Sequence, residues 1–138
     1  MIKFGASDVH LTYRVDRVDE MADGSILILD YKTGAIDPMP KFSADQEGVA
    51  LSREYIRDHL RSFQMPLYVH YLRRQYPGRH INSALYNLRT MSMTALFKPS
   101  QLQEVDIILA PYLKALDFII SEIYNLEIPF IGDSVDIK

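Results

Sequence analysis

The stretch "LILDYKTG", residues 27–34, places Asp30 and Lys32 at the end of an apolar run. The segment around it, residues 25–33, follows a two-residue period and is rich in β-branched and aromatic residues. That pattern predicts a β-strand. An Asp-x-Lys pair is common by chance, so its meaning depends on the residues that surround it.

A second strand is predicted just before this one. Residues 9–20 show the same alternation, and residues 21–24, Met-Ala-Asp-Gly, form a hairpin connection. A three-residue loop with Gly24 in the left-handed conformation pairs Met21 with Ser25, and the ladder then places Asp16 directly opposite Asp30. A two-residue loop would shift the pairing by one residue and turn Asp16 to the other face.

This register would bring two carboxylates and one ammonium group together. Directly opposed residues have Cβ atoms about 4.5–5.5 Å apart, and Lys32, two residues beyond Asp30, projects from the same face. Neighbouring carboxylates repel unless a cation lies between them, and Mg²⁺ prefers oxygen ligands. Two interpretations stay open: a hydrolytic site for phosphodiesters, in which Lys32 orients water and stabilises charge, or a self-neutralising cluster that also includes Arg14 and Arg17.

The middle of the chain predicts a loop followed by helix. Residues 35–50 contain two prolines and a glycine and predict a long loop. The apolar spacing from Ile56 onward predicts a helix that stops at Pro77. Pro66 implies either a kink in that helix or a second helix that begins near Ser62.

The last part of the chain predicts two strands and a helix. Residues 81–89 and 94–98 are expected to be strands, the second of them short. Ser100-x-x-Gln103 has the spacing of a capping box and predicts a helix to about Leu126, bent at Pro111. Its expected core stripe is Val105, Leu109, Leu116, Ile120 and Ile123. The order β-β-α-β-(β)-α predicts a single α/β domain over residues 1–138, with a mixed central sheet flanked by helices.

The composition is that of a soluble globular domain. Of the 138 residues, 48% are hydrophobic and 24% are charged, which argues against disorder. No apolar run reaches the roughly 20 residues that span a bilayer, and no signal peptide is evident. We therefore expect a cytoplasmic protein without a membrane partner. The absence of cysteine excludes disulfides, thiolate metal sites and cysteine nucleophiles within these residues.

Positive charge is concentrated in the middle of the chain. Residues 51–80 contain six basic and two acidic residues, whereas the segments on either side are acidic. A solvated helix face is the usual explanation of such a block, and a DNA-binding surface is the alternative. The candidates for phosphate contacts are Arg57, Arg61, Arg73 and Arg74.

The quoted residues resemble a known family. "YRVDRVDEMADGSILILDYKTG" followed by "QMPLYVHYL" is similar to the PD-(D/E)XK nuclease superfamily, in its RecB-like branch, which includes the nuclease domains of helicase–nucleases such as AddB. Members carry a strand with the pattern Gly-x-hydrophobic-Asp-Arg-hydrophobic-Asp, then hydrophobic-Asp-Tyr-Lys-[Thr/Ser]-Gly, then a helix that begins Gln-x-x-x-Tyr. The resemblance covers residues 13 to about 71 and implies a restriction-endonuclease-like core.

The resemblance also implies roles for individual residues. Asp16, Asp30 and the carbonyl of Tyr31 match the ligands of Mg²⁺ or Mn²⁺. Lys32 matches the catalytic lysine, so Asp16, Asp30 and Lys32 form the expected catalytic set. Gln64 and Tyr68, which lie four residues apart on one helical face, match the pair that positions DNA and the site. The alternative for this pair is an ordinary half-buried helix face.

Three departures from the family pattern lead us to expect a fragment truncated at both ends. Tyr13 stands where the family usually has glycine. Only twelve residues precede it, whereas the family places a metal-binding His or Glu on an upstream helix. The chain ends soon after its "PF" element, where many members continue with cysteines that hold an iron–sulfur cluster. Such a cluster is therefore expected only in the full-length protein.

The function expected from these patterns is that of a metal-dependent DNA nuclease module of the exonuclease type. We expect it to act in DNA repair or recombination, with DNA and a helicase domain or subunit as its partners, and the isolated fragment to be weak or inactive. One alternative is a catalytically inactive nuclease-fold domain that binds DNA or acts as a scaffold. The other is an unrelated small-molecule-binding domain with a chance motif.

Overall fold

The computed structural model describes residues 2–4, 7–34, 39, 50–130 and 132, and its strands form two sheets. The smaller sheet is an antiparallel pair of β1 (Ile2–Phe4) and β2 (Ser7–Val9). The larger sheet contains, in spatial order, β3 (Arg17–Glu20), β4 (Ile26–Lys32), β5 (Ile81–Asn87) and β6 (Ser92–Ala95). β4 is parallel to β5, while β3 and β6 are antiparallel to their neighbours. The predicted mixed α/β architecture is confirmed.

The helices are α1 (Arg53–Tyr55), which continues as a π-helical segment (Ile56–Leu60), α2 (Gln64–Gln75) and α3 (Val105–Tyr124). The backbone breaks between the π-helical segment and α2 at Arg61, whose φ is +55°. Pro66 is the third residue of α2, where its missing N–H costs no helical hydrogen bond. The prediction of a second helix near Ser62 is therefore right, and a kinked single helix is wrong. No helix among the described residues is both long and apolar enough to cross a bilayer.

The predicted hairpin register is confirmed. Gly24 has a φ of +81°, the amide of Met21 donates to the carbonyl of Ser25 across 2.8 Å, and Arg17 pairs with Leu29. One further step along the same ladder leads from Arg17 to Asp16 and from Leu29 to Asp30. Asp16 is thus the residue that immediately precedes β3, in line with Asp30.

The prediction of one strand over residues 9–20 is wrong, because β2 ends at Val9 and β3 begins at Arg17. The residues between them make other contacts. The carbonyl of Arg14 accepts a hydrogen bond from the side chain of Tyr68, and the side chain of Asp16 binds the amide of Tyr31. These bonds replace ladder hydrogen bonds, so the chain joins the larger sheet only after the carboxylate position, at Arg17.

The main core lies between β4 and the helices. Ile26 and Ile28 are buried against Val69 of α2 and Leu109 of α3. Because side chains alternate along a strand, Asp30 and Lys32 follow Ile26 and Ile28 on this face. The apolar contacts that attach α2 to β4 therefore also direct the Asp-x-Lys pair toward α2.

The C-terminal helix departs from its predicted start and stripe. The amide of Lys98 donates to the side chain of Gln101 across 2.8 Å, so the cap belongs to a 3₁₀ turn over Pro99–Gln101 rather than to Ser100 and Gln103. α3 then begins at Val105 and ends at Tyr124, two residues before the predicted end. The reason is Pro99, which is accommodated in the first turn of this separate short helix.

The core stripe of α3 and the strands β5 and β6 also differ in detail from the prediction. Val105, Leu109 and Ile120 are buried as predicted, but Leu116 is only partly buried and Ile123 is 51% exposed. The strands predicted at residues 81–89 and 94–98 run instead over the bounds of β5 and β6 given above. Tyr112 and Ala115 of α3 form a second buried cluster with Ile56 and Leu60. The loop predicted over residues 35–50 lies outside the described residues, apart from residues 39 and 50.

Candidate functional site

The site begins with the ion pair at the end of β4. The ammonium Nζ of Lys32 lies 2.9 Å from Oδ2 of Asp30, and the two side chains are 23% and 6% exposed. Burying a carboxylate is costly unless a cation and hydrogen-bond donors compensate for the lost water. Lys32 provides the cation because residues two apart on a strand project from the same face.

Gln64, the first residue of α2, provides the donor. Its Nε2 donates to Oδ1 of Asp30 across 2.9 Å and to the hydroxyl of Tyr68 across 2.8 Å. Its Oε1 lies 3.5 Å from Nζ of Lys32. The structure thus brings together four residues that the sequence predicted for the site: Asp30, Lys32, Gln64 and Tyr68.

The hydroxyl of Tyr68 extends this network to the segment before β3. It accepts a hydrogen bond from Gln64 and donates one to the carbonyl of Arg14 across 2.7 Å. Tyr68 is 5% exposed, so both of these bonds satisfy a buried polar group. Sequence reasoning missed the carbonyl of Arg14, since a backbone acceptor leaves no trace in residue type.

Asp16 approaches the same end of β4 from the other side. Its Oδ2 accepts a hydrogen bond from the amide of Tyr31 across 2.9 Å. The N–H and C=O of one strand residue point toward the same neighbouring strand, so the carbonyl of Tyr31 also faces the Asp16 side. The predicted acid and the predicted backbone ligand therefore share one edge of β4.

The oxygen atoms of this site suit a hard divalent cation. Oδ2 of Asp30 is buried and makes no aligned hydrogen bond, although it lies 2.9 Å from the ammonium group of Lys32. The contact with Lys32 is therefore ionic, and no other described residue donates a hydrogen bond to this oxygen. Asp16 is exposed, and its Oδ1 has no hydrogen-bond partner among the described residues.

The number of acidic side chains limits how many ligands the protein could provide to such a cation. Among the described residues, no group of three or more His, Cys, Asp or Glu side chains could hold a metal ion. The fitting set is two carboxylates and one carbonyl, which leaves coordination positions for water and for phosphate oxygens, as Mg²⁺ sites usually do.

Asn87 is a further residue near the site that sequence reasoning missed. It pairs with Lys32 in the parallel register and is 5% exposed. Its Nδ2 donates a hydrogen bond to the carbonyl of Gly34 across 3.3 Å. Its Oδ1 accepts hydrogen bonds from the backbone amides of Arg89 and Thr90. Asn87 therefore ties the chain just beyond Lys32 to the end of β5. An asparagine that ends a strand before a turn was the available signal.

The four arginines predicted to contact DNA do not form one patch. Arg57 is exposed and lies 2.8 Å from the carboxylate of Asp58, and Arg61 is exposed three residues before Gln64. Three residues of chain reach at most about 11 Å, so Arg61 belongs to the end of the molecule that carries the carboxylates.

Arg73 and Arg74 lie at the opposite end of α2, about 14 Å along the helix axis from Gln64. Arg73 forms a two-pronged ion pair with Asp106, in which its Nη2 lies 2.9 Å from Oδ2. The chain then returns to β5 at Ile81, which pairs with Ile26 at the far end of β4.

Comparison with known proteins agrees with this geometry. A family model for the PD-(D/E)XK nuclease superfamily matches residues 2–133 of the 138-residue chain. Neither the search of curated proteins nor the search of solved structures found a match. The matched range includes both strands of the hairpin, α2 and every residue of the network around Asp30.

Proposed function

Because the chain belongs to the PD-(D/E)XK nuclease superfamily, we propose that the carboxylate end of β4 is a metal-dependent site that hydrolyses phosphodiester bonds in DNA. The observation that carries the proposal is the network in which Asp30, Lys32 and Gln64 contact one another across β4 and α2. An acid, an ammonium group and an amide held together at a solvent-accessible strand end are the groups that this chemistry requires.

The metal in this proposal is Mg²⁺ or Mn²⁺, held by Asp16, Asp30 and the carbonyl of Tyr31. When bound, it would polarise a phosphoryl oxygen and make a bound water more acidic. Asp30 would contribute Oδ2, the buried oxygen that accepts no hydrogen bond. Asp16 keeps one oxygen on the amide of Tyr31 and has its other oxygen free for the metal.

Lys32 supplies positive charge next to the scissile phosphate. Its ammonium group is held by Asp30 and Gln64, so little reorientation is needed as negative charge develops on the phosphate. Gln64 sets this geometry because its amide donates to the carboxylate and turns its oxygen toward the ammonium group. Tyr68 anchors Gln64 in turn through the 2.8 Å hydrogen bond.

The finer proposal is that the chain is the nuclease portion of a RecB- or AddB-like helicase–nuclease. In this proposal it degrades DNA as an exonuclease during repair or recombination. The support is the order and spacing of the motifs in residues 13–71. Arg57, Arg61, Arg73 and Arg74 would contact phosphates. An iron–sulfur cluster, if the whole protein has one, would use cysteines beyond these residues, since the chain contains none.

A second candidate function is that of an inactive nuclease-fold domain that binds DNA or acts as a scaffold. Two observations favour it. One oxygen of Asp16 is already bonded to the amide of Tyr31, and among the described residues no third acid joins the pair.

Cleavage of labelled DNA by the full-length protein in Mg²⁺ or Mn²⁺ tests the proposal. Lys32→Ala and Asp30→Asn should each lower the cleavage rate about 100-fold or more, while DNA binding is retained. Lys114→Ala, which removes an exposed lysine of α3, is the matched control and should cleave normally. A wild-type protein that binds DNA but cuts it with neither metal would support the scaffolding function.

A further inference from the structure

A stack of aromatic rings adjoins the network around Asp30. The rings of Tyr13 and Tyr71 are nearly parallel, at 15°, with centroids 4.9 Å apart. The ring of Tyr68 is tilted against Tyr13 at 6.1 Å, and His70 meets Tyr71 edge to face. Tyr13 therefore rests on a support of α2 side chains.

This stack lies close to the proposed reaction centre. Tyr13 immediately precedes Arg14, whose carbonyl is bonded to Tyr68. From there the hydrogen bonds continue through Gln64 to Asp30. Three successive bonds of normal length put the carbonyl oxygen of Arg14 within about 9 Å of the carboxylate of Asp30. Because Tyr13 is the residue next to Arg14, its ring lies within a few nucleotides of the Asp30 site on a bound strand.

The exposure of Tyr13 distinguishes it from its neighbours. Tyr13 is 37% exposed, whereas Tyr68 is 5% exposed. Tyr71 covers one face of the Tyr13 ring. A supported aromatic ring that is partly exposed to water is the arrangement on which nucleobases stack in proteins that bind single strands. The exposed side chain of Arg14, which makes no ion pair with any described residue, provides positive charge for the adjoining phosphate.

We infer that Tyr13 is a stacking platform for an unpaired nucleobase, a few nucleotides from the phosphate at the Asp30 site. This inference rests on the proposed function and names its substrate class, DNA with a single-stranded segment. A base inside a duplex is covered on both faces by its neighbours and cannot stack on the ring. A flexible or unpaired strand offers each base face freely.

The test is a binding cycle between the protein and abasic DNA. Affinities for short single strands are measured in EDTA, where a metal-dependent enzyme does not cut, with one nucleotide at a time replaced by an abasic residue. We expect one position at which the missing base lowers the affinity of the wild-type protein about tenfold. Tyr13→Ala should lower the affinity for the intact strand by the same factor and add no further loss at that position. Tyr13→Phe should bind like the wild type.

Two controls separate stacking from a general defect. Tyr124→Ala removes a tyrosine that is 58% exposed on α3 and should leave binding unchanged. A covalently closed circular duplex, which has no ends and no loops of unpaired bases, should bind Tyr13→Ala and wild type equally, whereas misfolding would weaken binding to every DNA.

Additive losses, an equal loss for the closed duplex, or no binding of single strands by the wild type would each overturn the inference. Cleavage by the wild-type protein in Mg²⁺, measured in parallel, shows separately whether the proposed nuclease function fails.

Discussion

The amide of Gln64 donates to the carboxylate of Asp30 across 2.9 Å, joining the first residue of α2 to the end of β4. The orientation of the amide is determined by both of its neighbours. A flipped amide would place its oxygen against the carboxylate and its NH₂ group against the ammonium group of Lys32. The geometry of the Asp30 carboxylate therefore depends on the position of α2.

Gln64→Ala should therefore destabilise the fold. The substitution leaves Oδ1 of the buried Asp30 without its donor, and an unsatisfied buried polar group costs about 1–3 kcal/mol. Urea denaturation would measure the loss. Gln75→Ala, at the exposed last position of α2, is the matched control and should change the free energy of unfolding by less than about 0.5 kcal/mol. Equal effects of the two substitutions would show that the contact with Asp30 contributes nothing.

Divalent metal should raise the thermal stability of the wild-type protein, because a ligand that binds only the folded state stabilises it by mass action. At ten times the dissociation constant, the gain is about 1.4 kcal/mol. Asp30→Asn should abolish the shift in a thermal melt with Mg²⁺ or Mn²⁺. Asp19→Asn, which alters an acid of β3 that pairs with Arg17, should preserve it. A shift that survives in Asp30→Asn would place the metal elsewhere.

The hairpin register should depend on Gly24. Its φ of +81° lies in the left-handed region, and no atom lies within 4 Å of an added Cβ. Gly24→Ala should therefore cost about 1–2 kcal/mol through backbone strain alone. Gly34→Ala introduces the same methyl group into equally open space, at a φ outside that region, and should be close to neutral. Chemical denaturation of both variants measures the difference, and equal stabilities would refute the strain.

His70 should make stability depend on pH. Burial, followed by the charges of Arg74 and Arg73, lowers the pKa of His70 below 6.5. The unfolded chain then binds more protons than the folded chain, so stability rises with pH across this range. This part of the stability is fully present above about pH 6.5 and is lost as the pH falls toward the lowered pKa of His70. His70→Gln should flatten this part of the stability profile.

The imidazole resonances of His70 provide a direct measurement of the same effect. Arg74→Gln removes a neighbouring positive charge and should raise the pKa of His70 toward its ordinary value. Arg57→Gln removes an arginine that does not affect His70 and should leave its titration unchanged. An unaltered titration in Arg74→Gln would mean that Arg74 contributes nothing to the lowered pKa.

The arginines should differ in their contribution to DNA binding. Log affinity falls with log salt, and each phosphate contact that is removed makes this slope shallower by about 1. We expect this change for Arg61→Gln, near the carboxylates, and the same test on Arg74→Gln shows whether the far end of α2 also contacts DNA. Lys114→Gln carries an identical charge change on α3 and should leave the slope unaltered. If all three variants keep the slope of the wild-type protein, the basic block is only a solvated surface.

The parts of this site that the sequence predicted correctly depend on local chemistry. The left-handed preference of glycine set the hairpin register, and the two-residue period of β4 placed Asp30 and Lys32 on one face. The helical period likewise placed Gln64 and Tyr68 together. Each relationship arises from backbone conformations within a few residues, so it survives whatever packs around it.

Tertiary structure decided the rest. The side chain of Asp16 accepts a hydrogen bond from the amide of Tyr31, and the carbonyl of Arg14 accepts one from Tyr68. Of the strand predicted over residues 9–20, β3 therefore begins only at Arg17. These bonds join residues 15 and 54 positions apart, and the second of them requires α2 to be packed beside the sheet. The bond from Tyr68 satisfies a buried hydroxyl group, a condition that depends on the folded arrangement and that no sequence pattern encodes.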